Sequence, residues 1–422
     1  MGIKQLPFLI IWFSSILCHV TGFSPKDSFL VDCGSPTNTT IGDRVFQPDT
    51  SNSIRRLFQP HTQLSTAKHI LASTNSSIDS ATYGAPLFQT ARIFDGTSSY
   101  TFKILKSCRH WIRLYFFPFT FESYDMSTAK FSVTTQEFLL LRDFQLENGS
   151  VVKEFSVSVT SGDPTIQFTP ARNSFAFLNA LEVVSVPDDL ITDDARNVSP
   201  GNKYQGLTKQ ALQTVWRVNM GGPEVSPPND TLSRTWVPDQ EFLVNKDSAS
   251  KKTGTVKYVD GGPSPDIAPE LVYGSCREMI SEGDPNVKKN VTWDFDVDPG
   301  FQYLVRFHFC DIVSLSANQL MFNVYINAWE AYHNLDFDTL GAPVYIDVFT
   351  EQSESSKMSI HIGPSTDASD TYPNAILNGL EIMKMNDFAN STSGGSPFVA
   401  SSIRCSCLSV LYMALLFVLQ FV

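Results

Sequence analysis

Short segments in which apolar and polar residues alternate recur along this chain, and residues typical of turns separate them. Residues 131–134, 154–159 and 322–326 carry apolar side chains at every second position. A period of two places alternate side chains on opposite faces, as in a β-strand with one buried face. No amphipathic helical pattern of any length interrupts these segments in the first half of the chain. The pattern therefore predicts an antiparallel β-sandwich.

The segment 109–119 is the strongest candidate for a central strand, because it is rich in aromatic and branched apolar residues. A similar segment follows at 303–311, and alignment of Arg113 with Arg306 brings the two into register. The apolar positions then coincide, with Ile112, Leu114 and Phe116 over Val305, Phe307 and Phe309. A core strand that occurs twice indicates a fold that occurs twice.

Three pairs of equivalent positions support a tandem duplication. The offsets are 187 residues for Asp32 and Asn219, 193 for Arg113 and Arg306, and 199 for Glu182 and Glu381. The offset drifts by only 12 residues over the repeat, so the elements keep their order and the loops change slightly in length. The repeated Arg and Glu positions favour structural ion pairs, Arg113 with Glu182 and Arg306 with Glu381, over an acid/base pair.

The two ends of the chain have a different composition from its body. Lys4 precedes an apolar run at 6–18, and small residues would suit cleavage before Phe23, so residues 1–22 are predicted to be a signal peptide. The alternative is a buried N-terminal helix. The body divides into a first domain at 23–190, a linker at 191–210 and a second domain at 211–387.

Residues 388–406 form a spacer rich in Ser and Gly, and residues 407–422 form a hydrophobic tail. The tail is short for a membrane span, which needs about 20 residues. Small residues from Ser393 onward, a spacer and an apolar end match a signal for a GPI anchor at Ser393. A short membrane anchor and a truncated gene model are the alternatives.

Charge and cysteine content narrow the class of protein. The net charge of −12 argues against nucleic acid as a partner. Export is supported by seven Asn-X-Ser/Thr sequons, at Asn38, Asn75, Asn148, Asn197, Asn229, Asn290 and Asn390. The four cysteines of the body allow three pairings, of which Cys33–Cys108 with Cys276–Cys310 is the most economical. A zinc site is the alternative, but close CxxC spacing is lacking.

The sequence contains no motif that predicts catalysis or a bound cofactor. A phosphate loop, a nucleophile elbow and an HExxH motif are all missing from it. The alternating carboxylates of residues 294–298 suggest a calcium loop, but Pro299 and Val305 occupy the positions that need Gly and Glu. These residues are better interpreted as a strand with one solvated face, and the chain is predicted not to be an enzyme.

Aromatic side chains in loops can stack on sugar rings or form peptide pockets. The candidate ligand-binding residues are Tyr83, Tyr100, Tyr115, Trp329, Tyr332 and Tyr372. In a chain with 32 Phe residues, most aromatic side chains belong to the core. Basic doublets such as Lys251-Lys252 could contact an acidic polysaccharide, although such doublets are commonly solvated loops.

Several motifs together resemble the tandem malectin-like ectodomain of FERONIA/THESEUS-type plant receptor-like kinases. They are Asp95-Gly96 with 99–102, 109–116 and 176–183 in the first half, and 216–222, 303–311 and 374–382 in the second. The resemblance implies an all-β fold of two tandem malectin-like β-sandwich (jelly-roll-like) domains, delivered through the secretory pathway to the extracellular face of the plasma membrane. In this family such ectodomains perceive rapid alkalinisation factor peptides, often with a GPI-anchored co-receptor, and monitor pectin.

The resemblance therefore implies a receptor-like protein that lacks its own kinase. Its expected partners are a secreted basic peptide or a cell-wall polysaccharide, a possible membrane co-receptor, and the membrane itself through the C-terminal anchor. The alternative is a pectin- or glycan-binding lectin without a signalling role.

Overall fold

The computed structural model describes residues 22–49, 62–66, 68–74, 83–160, 162–198, 203–280, 290–365 and 374–386. Their regular structure is mainly β-strand, as the alternating pattern predicts. Residues 1–21 and 387–422 lie outside the described residues, and with them most of the predicted signal peptide, the spacer, the tail and Ser393. Within the described ranges, no helix combines the length and apolar character that crossing a bilayer requires.

The first half contains sixteen described strands and two short 3-10 helices. In chain order the strands are β1 (Ser28–Asp32), β2 (Thr39–Ile41), β3 (Arg44–Pro48), β4 (Thr62–Thr66), β5 (His69–Ser73), β6 (Thr90–Phe94), β7 (Ser98–Phe102), β8 (Arg109–Phe116), β9 (Thr120–Phe121), β10 (Tyr124–Asp125), β11 (Phe131–Thr134), β12 (Leu139–Phe144), β13 (Val151–Ser158), β14 (Thr165–Pro170), β15 (Ala176–Leu178) and β16 (Ala180–Ser185). The 3-10 helices are Ala85–Phe88 and Met126–Thr128.

The second half repeats this organisation. Its described strands are β17 (Arg196–Asn197), β18 (Leu212–Asn219), β19 (Val237–Pro238), β20 (Ala249–Thr253), β21 (Ser275–Met279), β22 (Val291–Asp296), β23 (Tyr303–Cys310), β24 (Phe322–Ile326), β25 (Trp329–Leu335), β26 (Pro343–Phe349), β27 (Lys357–Pro364), β28 (Ile376–Leu377) and β29 (Gly379–Met385). The helices are α1 (Glu270–Tyr273) and the 3-10 turns Asp188–Leu190, Leu207–Lys209, Pro227–Asn229 and Asp239–Glu241.

One long sheet runs through both halves, with the strand order β17-β26-β23-β29-β18-β13-β8-β16-β1-β3-β2 and with β19 paired to β18. The halves join where β13 pairs antiparallel with β18, through Phe155 opposite Gln213 and Ser156 opposite Leu212. Facing sheets complete each sandwich: β12-β11-β14-β7-β4 and β15-β6-β5 in the first half, and β22-β27-β24-β25 and β20-β21-β28 in the second.

The prediction of two equivalent central strands is confirmed. Strand β8 lies between β13 and β16, and β23 lies between β26 and β29. Every residue of both strands is buried. The predicted apolar faces enter two separate cores, with Ile112, Leu114 and Phe116 in one and Val305, Phe307 and Phe309 in the other. The opposite face of β8 carries Arg113 and Tyr115 toward the junction of the halves.

The repeat extends to the glycine turns that follow β1 and β18. Gly34 and Gly221 have φ angles of 83° and 73°. A Cβ atom on Gly34 would lie 2.4 Å from the Ala91 carbonyl oxygen, and one on Gly221 would lie 2.1 Å from that of Cys276. Both positions therefore require glycine for conformation and for space.

The segment interpreted as the connection between domains packs against the second sandwich. Ile191, Ala195 and Leu207 are buried in one cluster with Leu304 and Phe349. Strand β17 within this segment pairs parallel with the end of β26. Because its apolar side chains are buried, this Asp-rich segment packs against the sheet instead of extending into solvent.

Candidate functional site

A network of buried ion pairs crosses the junction where β13 meets β18. Glu154 on β13 is the centre of the network. The Glu154 carboxylate accepts hydrogen bonds from Arg113 Nε at 2.7 Å and from Arg217 Nη2 at 2.8 Å. The Thr214 hydroxyl also donates to Glu154, at 2.7 Å. Arg113 belongs to the first sandwich and Arg217 to the second, so one carboxylate binds cations from both.

Two further glutamates extend the network in opposite directions. Glu182 accepts from Arg113 at 3.1 Å, from Arg44 at 2.5 Å and from the Tyr115 hydroxyl. Glu381 accepts from Arg217 at 2.8 Å.

The predicted pair of Arg113 with Glu182 is confirmed, whereas the predicted pair of Arg306 with Glu381 is wrong. Arg306 and Glu381 do lie opposite each other in the sheet register. However, Asp347 on the other neighbouring strand takes two guanidinium N–H groups of Arg306, both at 2.7 Å. Glu381 is instead bound by Arg217 from β18, so partner choice differs between the two repeats.

The electrostatics of the network keep its carboxylates ionised. Burial alone would raise the pKa of Glu154, but the charges of Arg217 and Arg113 outweigh it and lower that pKa to about 2. Burial likewise opposes ionisation of Glu182 and Glu381, and their arginine neighbours still lower both pKa values. None of the three is suited to act as a general acid or base near neutral pH. The network is a structural clamp between the sandwiches.

A cavity of about 330 Å³ opens beside this clamp. Tyr83, Tyr115 and Trp216 are the aromatic side chains of its wall, next to Arg44 and Arg217. Tyr83 and Trp216 are half-buried. Arg44 and Arg217 already bind glutamates, so neither is free to pair with a carboxylate of a ligand.

Of the six predicted ligand-binding aromatics, Tyr83 and Tyr115 meet at the cavity beside the clamp, and the other described ones lie elsewhere. Tyr100 is fully buried and its hydroxyl donates to Asp49 at 2.8 Å, so it is a core residue instead of a ligand-binding one. Tyr115 is 5 % exposed, and its hydroxyl is bound by Glu182. The period of two on β7 and β8 places both side chains on buried faces. Tyr372 lies outside the described residues.

The two other predicted ligand-binding residues, Trp329 and Tyr332, lie on β25, beside a larger surface groove. Trp329 is 57 % exposed, and Tyr332 is half-buried and lines the groove. The groove measures about 700 Å³ and lies between β26, residues 335–339, the turn at 259–263 and residues 192–196. We call it the acidic groove, because four exposed carboxylates line it: Asp194, Asp260, Asp336 and Asp338.

Few cations balance these carboxylates. Asp194 lies 3.2 Å from Lys203 at the exposed surface. The guanidinium of Arg196 lies over the ring of Tyr332, 5.0 Å from its centroid. Asp347, at the back of the groove, is already bound to Arg306. The groove therefore presents an excess of negative charge to solvent.

Sequence reasoning missed the principal residues of this groove. Asp336 and Asp338 alternate with buried Leu335 and Phe337, a pattern that indicates a solvated polar face. That pattern could have identified the two carboxylates as surface groups. It could not have shown that residues about 70 and 140 positions earlier in the chain complete the same groove.

All four described cysteines are free and buried, so the predicted pairs Cys33–Cys108 and Cys276–Cys310 are not formed in this structure. Cys276 lies in the main core of the second sandwich, whereas Cys310 packs in a different cluster with Val225 and Trp236. Burial raises the pKa of the Cys310 thiol to about 12. The four thiols are core side chains. The described residues also hold no group of three or more metal-ligating side chains.

The interpretation of residues 294–298 as a strand is confirmed up to Asp296, where β22 ends, and is wrong for Val297 and Asp298. Strand β22 buries Val291, Trp293 and Phe295, while Asp294 and Asp296 point away from the core. Asp294 accepts a hydrogen bond from the Ser359 hydroxyl at 2.6 Å.

Among the predicted glycosylation sites, four asparagines are exposed: Asn38, Asn148, Asn229 and Asn290. Asn197 is half-buried. Asn75 and Asn390 lie outside the described residues. Glycosylation stays a prediction for all seven.

Comparison with known proteins identifies relatives over most of the chain. The profile of the Malectin-like domain matches residues 31–385. The Arabidopsis thaliana receptor-like protein kinase HERK 1 is 46% identical over 416 residues, which cover 96% of this chain and 48% of the relative. The receptor-like protein kinase THESEUS 1 from the same plant is 40% identical over 405 residues, covering 92% of this chain and 46% of the relative. This chain thus spans about half the length of these relatives.

Solved structures share the same architecture. The extracellular domain of ANXUR1 from Arabidopsis thaliana superposes with a TM-score of 0.77 at 29% identity, covering 86% of this chain and 97% of that one. A crystal structure of the plant peptide RALF23 in complex with FER and LLG2 contains a chain with a TM-score of 0.74 at 29% identity, covering 88% of this chain and 97% of that one.

Proposed function

This chain belongs to the malectin-like family of plant receptor-like kinase ectodomains, and we propose that it binds a secreted basic peptide at the outer face of the plasma membrane. The acidic groove carries this proposal. Its exposed carboxylates, Asp194, Asp260, Asp336 and Asp338, face solvent beside one exposed arginine, Arg196. Complementary charge accelerates association and excludes partners of the same sign.

Two further observations favour a basic peptide. The whole chain has a net charge of −12, so its long-range field attracts cations. The related FER chain was crystallised with the plant peptide RALF23 and with LLG2. By analogy, we also propose that a membrane co-receptor takes part in binding by this chain.

A cell-wall lectin is the competing function. Pectin is a polyuronate, and the acidic groove would repel it. The exposed Lys251 lies on β20, away from the groove lining, and its neighbour Lys252 is already within 3.2 Å of Glu278. Peptide binding without catalysis is therefore the function we favour.

The test is a binding panel on the secreted, purified chain. We expect saturable binding of at least one basic cysteine-rich peptide, RALF23 included, in isothermal calorimetry. Substitution of both Asp336→Lys and Asp338→Lys should weaken that binding at least about tenfold, because two attractive charges become repulsive. The matched control is Glu137→Lys with Asp163→Lys, which reverses two exposed carboxylates on the first sandwich.

The alternative outcomes are distinct. Retention of pectin fragments with no peptide binding would favour the lectin. Equal loss of peptide binding in the control pair would show that net charge, and not the acidic groove, carries recognition.

The predicted attachment to the membrane needs a separate test. Release of the chain from plant membranes by a phosphatidylinositol-specific phospholipase is the result expected for a lipid anchor at Ser393. A chain that stays with the membrane fraction would instead support a short hydrophobic anchor at residues 407–422.

A further inference from the structure

Strand β26 has a free edge inside the acidic groove. On one side β26 pairs with β23 from Pro343 to Phe349 without a register shift. On its other side β17 pairs only with Val348 and Phe349. Among the strands that the structure describes, none covers residues 343–347 on that outer side. These residues are also part of the groove lining.

Two hydrogen bonds fix the direction of the backbone groups on this edge. The Phe349 carbonyl accepts a hydrogen bond from Val198 N–H at 2.9 Å on the outer side, whereas the next residue, Thr350, donates its N–H to the Tyr303 carbonyl of β23 at 2.9 Å. Backbone groups alternate in direction along a strand. The N–H and C=O groups of Tyr345 therefore point into the groove, and so does the N–H group of Asp347. The backbone N–H and C=O groups of Ile346 point to β23.

The surroundings of this edge suit an extended chain. Neighbouring strands need a spacing of about 4.8 Å, and the groove of about 700 Å³ opens directly beside β26. Val344 is 37 % exposed and supplies an apolar contact at the edge. Asp260 and Asp336 line the same groove and supply negative charge beside this edge.

We propose that an extended segment of a basic peptide adds to the free edge of β26 as an extra strand within the acidic groove. This inference rests on the proposed function and specifies its binding mode. Main-chain hydrogen bonds would provide affinity, and the carboxylates would select lysine and arginine side chains of the guest. A second copy of this chain is disfavoured because its net charge has the same sign. A polyuronate lacks the N–H groups that pair with a strand.

The first experiment measures amide hydrogen exchange of the full chain with and without a probe peptide. The probe is the tightest binder from a library of capped seven-residue peptides in which lysine or arginine alternates with apolar residues. We expect the amides of Tyr345 and Asp347 to exchange quickly in the free protein and to slow at least about tenfold at saturation. The amide of Ile346 is the internal control, because it pairs with β23 in both states.

The second experiment changes the probe and leaves the protein intact. Methylation of one backbone nitrogen at a time should weaken binding about three- to tenfold at every second residue, because each bonded N–H lost costs one hydrogen bond. Methylation at the intervening residues should have little effect.

A protein variant complements this scan. Tyr345→Pro removes the outward N–H without removing a donor to β23, and Tyr345→Ala is its matched control for loss of the ring. We expect Tyr345→Pro to weaken binding far more than Tyr345→Ala, because only proline removes the N–H group. If Tyr345→Pro fails to fold, the methylation scan still decides.

The outcomes separate this mode from the function itself. Binding with no alternation in the methylation scan, or with unchanged exchange at Tyr345, overturns strand addition and leaves peptide binding standing. Binding of a complete secreted peptide when no library member binds also overturns strand addition. Failure of both kinds of peptide overturns the proposed function.

Discussion

Replacement of Glu154 by glutamine should loosen the clamp between the sandwiches. Glutamine keeps the shape of the side chain but removes the charge that faces Arg113 and Arg217. Both guanidinium groups are buried, with side-chain exposures of 4% and 5%. Each keeps one other carboxylate, Glu182 or Glu381, so the loss is partial for each arginine.

Two lines of reasoning give the same cost of Glu154→Gln in the free energy of unfolding. The pKa of Glu154 lies at about 2, against an ordinary value of 4.5 for a glutamate, and this difference corresponds to about 3 kcal/mol in the free energy of unfolding. Removal of one partner from a buried ion pair generally costs about 3–5 kcal/mol. We therefore expect Glu154→Gln to lower the free energy of unfolding by about 3 kcal/mol at pH 7.

The pH dependence has a defined sign. A carboxyl group whose pKa is lowered by folding stabilises the folded state above its unfolded pKa, and this contribution is lost as pH falls toward the folded pKa. The difference between wild type and Glu154→Gln should thus be constant above about pH 5 and fall by about half at pH 3. The other glutamates of the network are present in both proteins, so their titration largely cancels.

The assay is equilibrium urea unfolding followed by tryptophan fluorescence and circular dichroism. Glu137→Gln is the matched control, because Glu137 is exposed and the change should stay within about 0.5 kcal/mol. A cost below about 1 kcal/mol for Glu154→Gln, or a difference that does not shrink in acid, would refute the reasoning. It would mean that the arginines find other partners once the carboxylate is neutral.

Two more predictions concern backbone space and the thiols. Gly221→Ala should cost on the order of 4 kcal/mol or more, because its Cβ would meet a carbonyl oxygen at 2.1 Å. Gly149→Ala, at a similar φ of 75° but with open space around it, should cost only about 1–2 kcal/mol in the same unfolding assay; equal costs would contradict the steric argument. The four thiols of Cys33, Cys108, Cys276 and Cys310 should resist a disulfide-exchange reagent at pH 8 in the native protein and react in urea, because burial raises their pKa values and excludes the reagent. A mass spectrum of the unreduced chain with disulfide-linked peptides among these four would contradict the prediction.

The sequence by itself determined the repeated strands and their inner faces. A period of two is a local property, so the alternation around Trp111 identifies the side that carries Ile112 and Leu114 before any partner strand is known. The equal order of motifs in the two halves then indicates the duplication. For the same reason the interpretation of residues 294–298 as strand is correct up to Asp296.

Only the tertiary structure decided which groups meet across strands. Arg306 has carboxylates on both neighbouring strands, and the choice of Asp347 over Glu381 depends on Arg217, which arrives from β18. The burial of Tyr100 and the separation of Cys276 from Cys310 likewise depend on how the sheets face each other.

The acidic groove is the clearest example of a feature that only the tertiary structure decided. Its walls come from residues 192–196, 259–263, 332–339 and 342–347, which are far apart in the chain. Its free edge exists because β17 is only two residues long where it pairs with β26. The local pattern specifies which face of each strand is polar, but strand order and register, which are non-local, decide where those faces form a site.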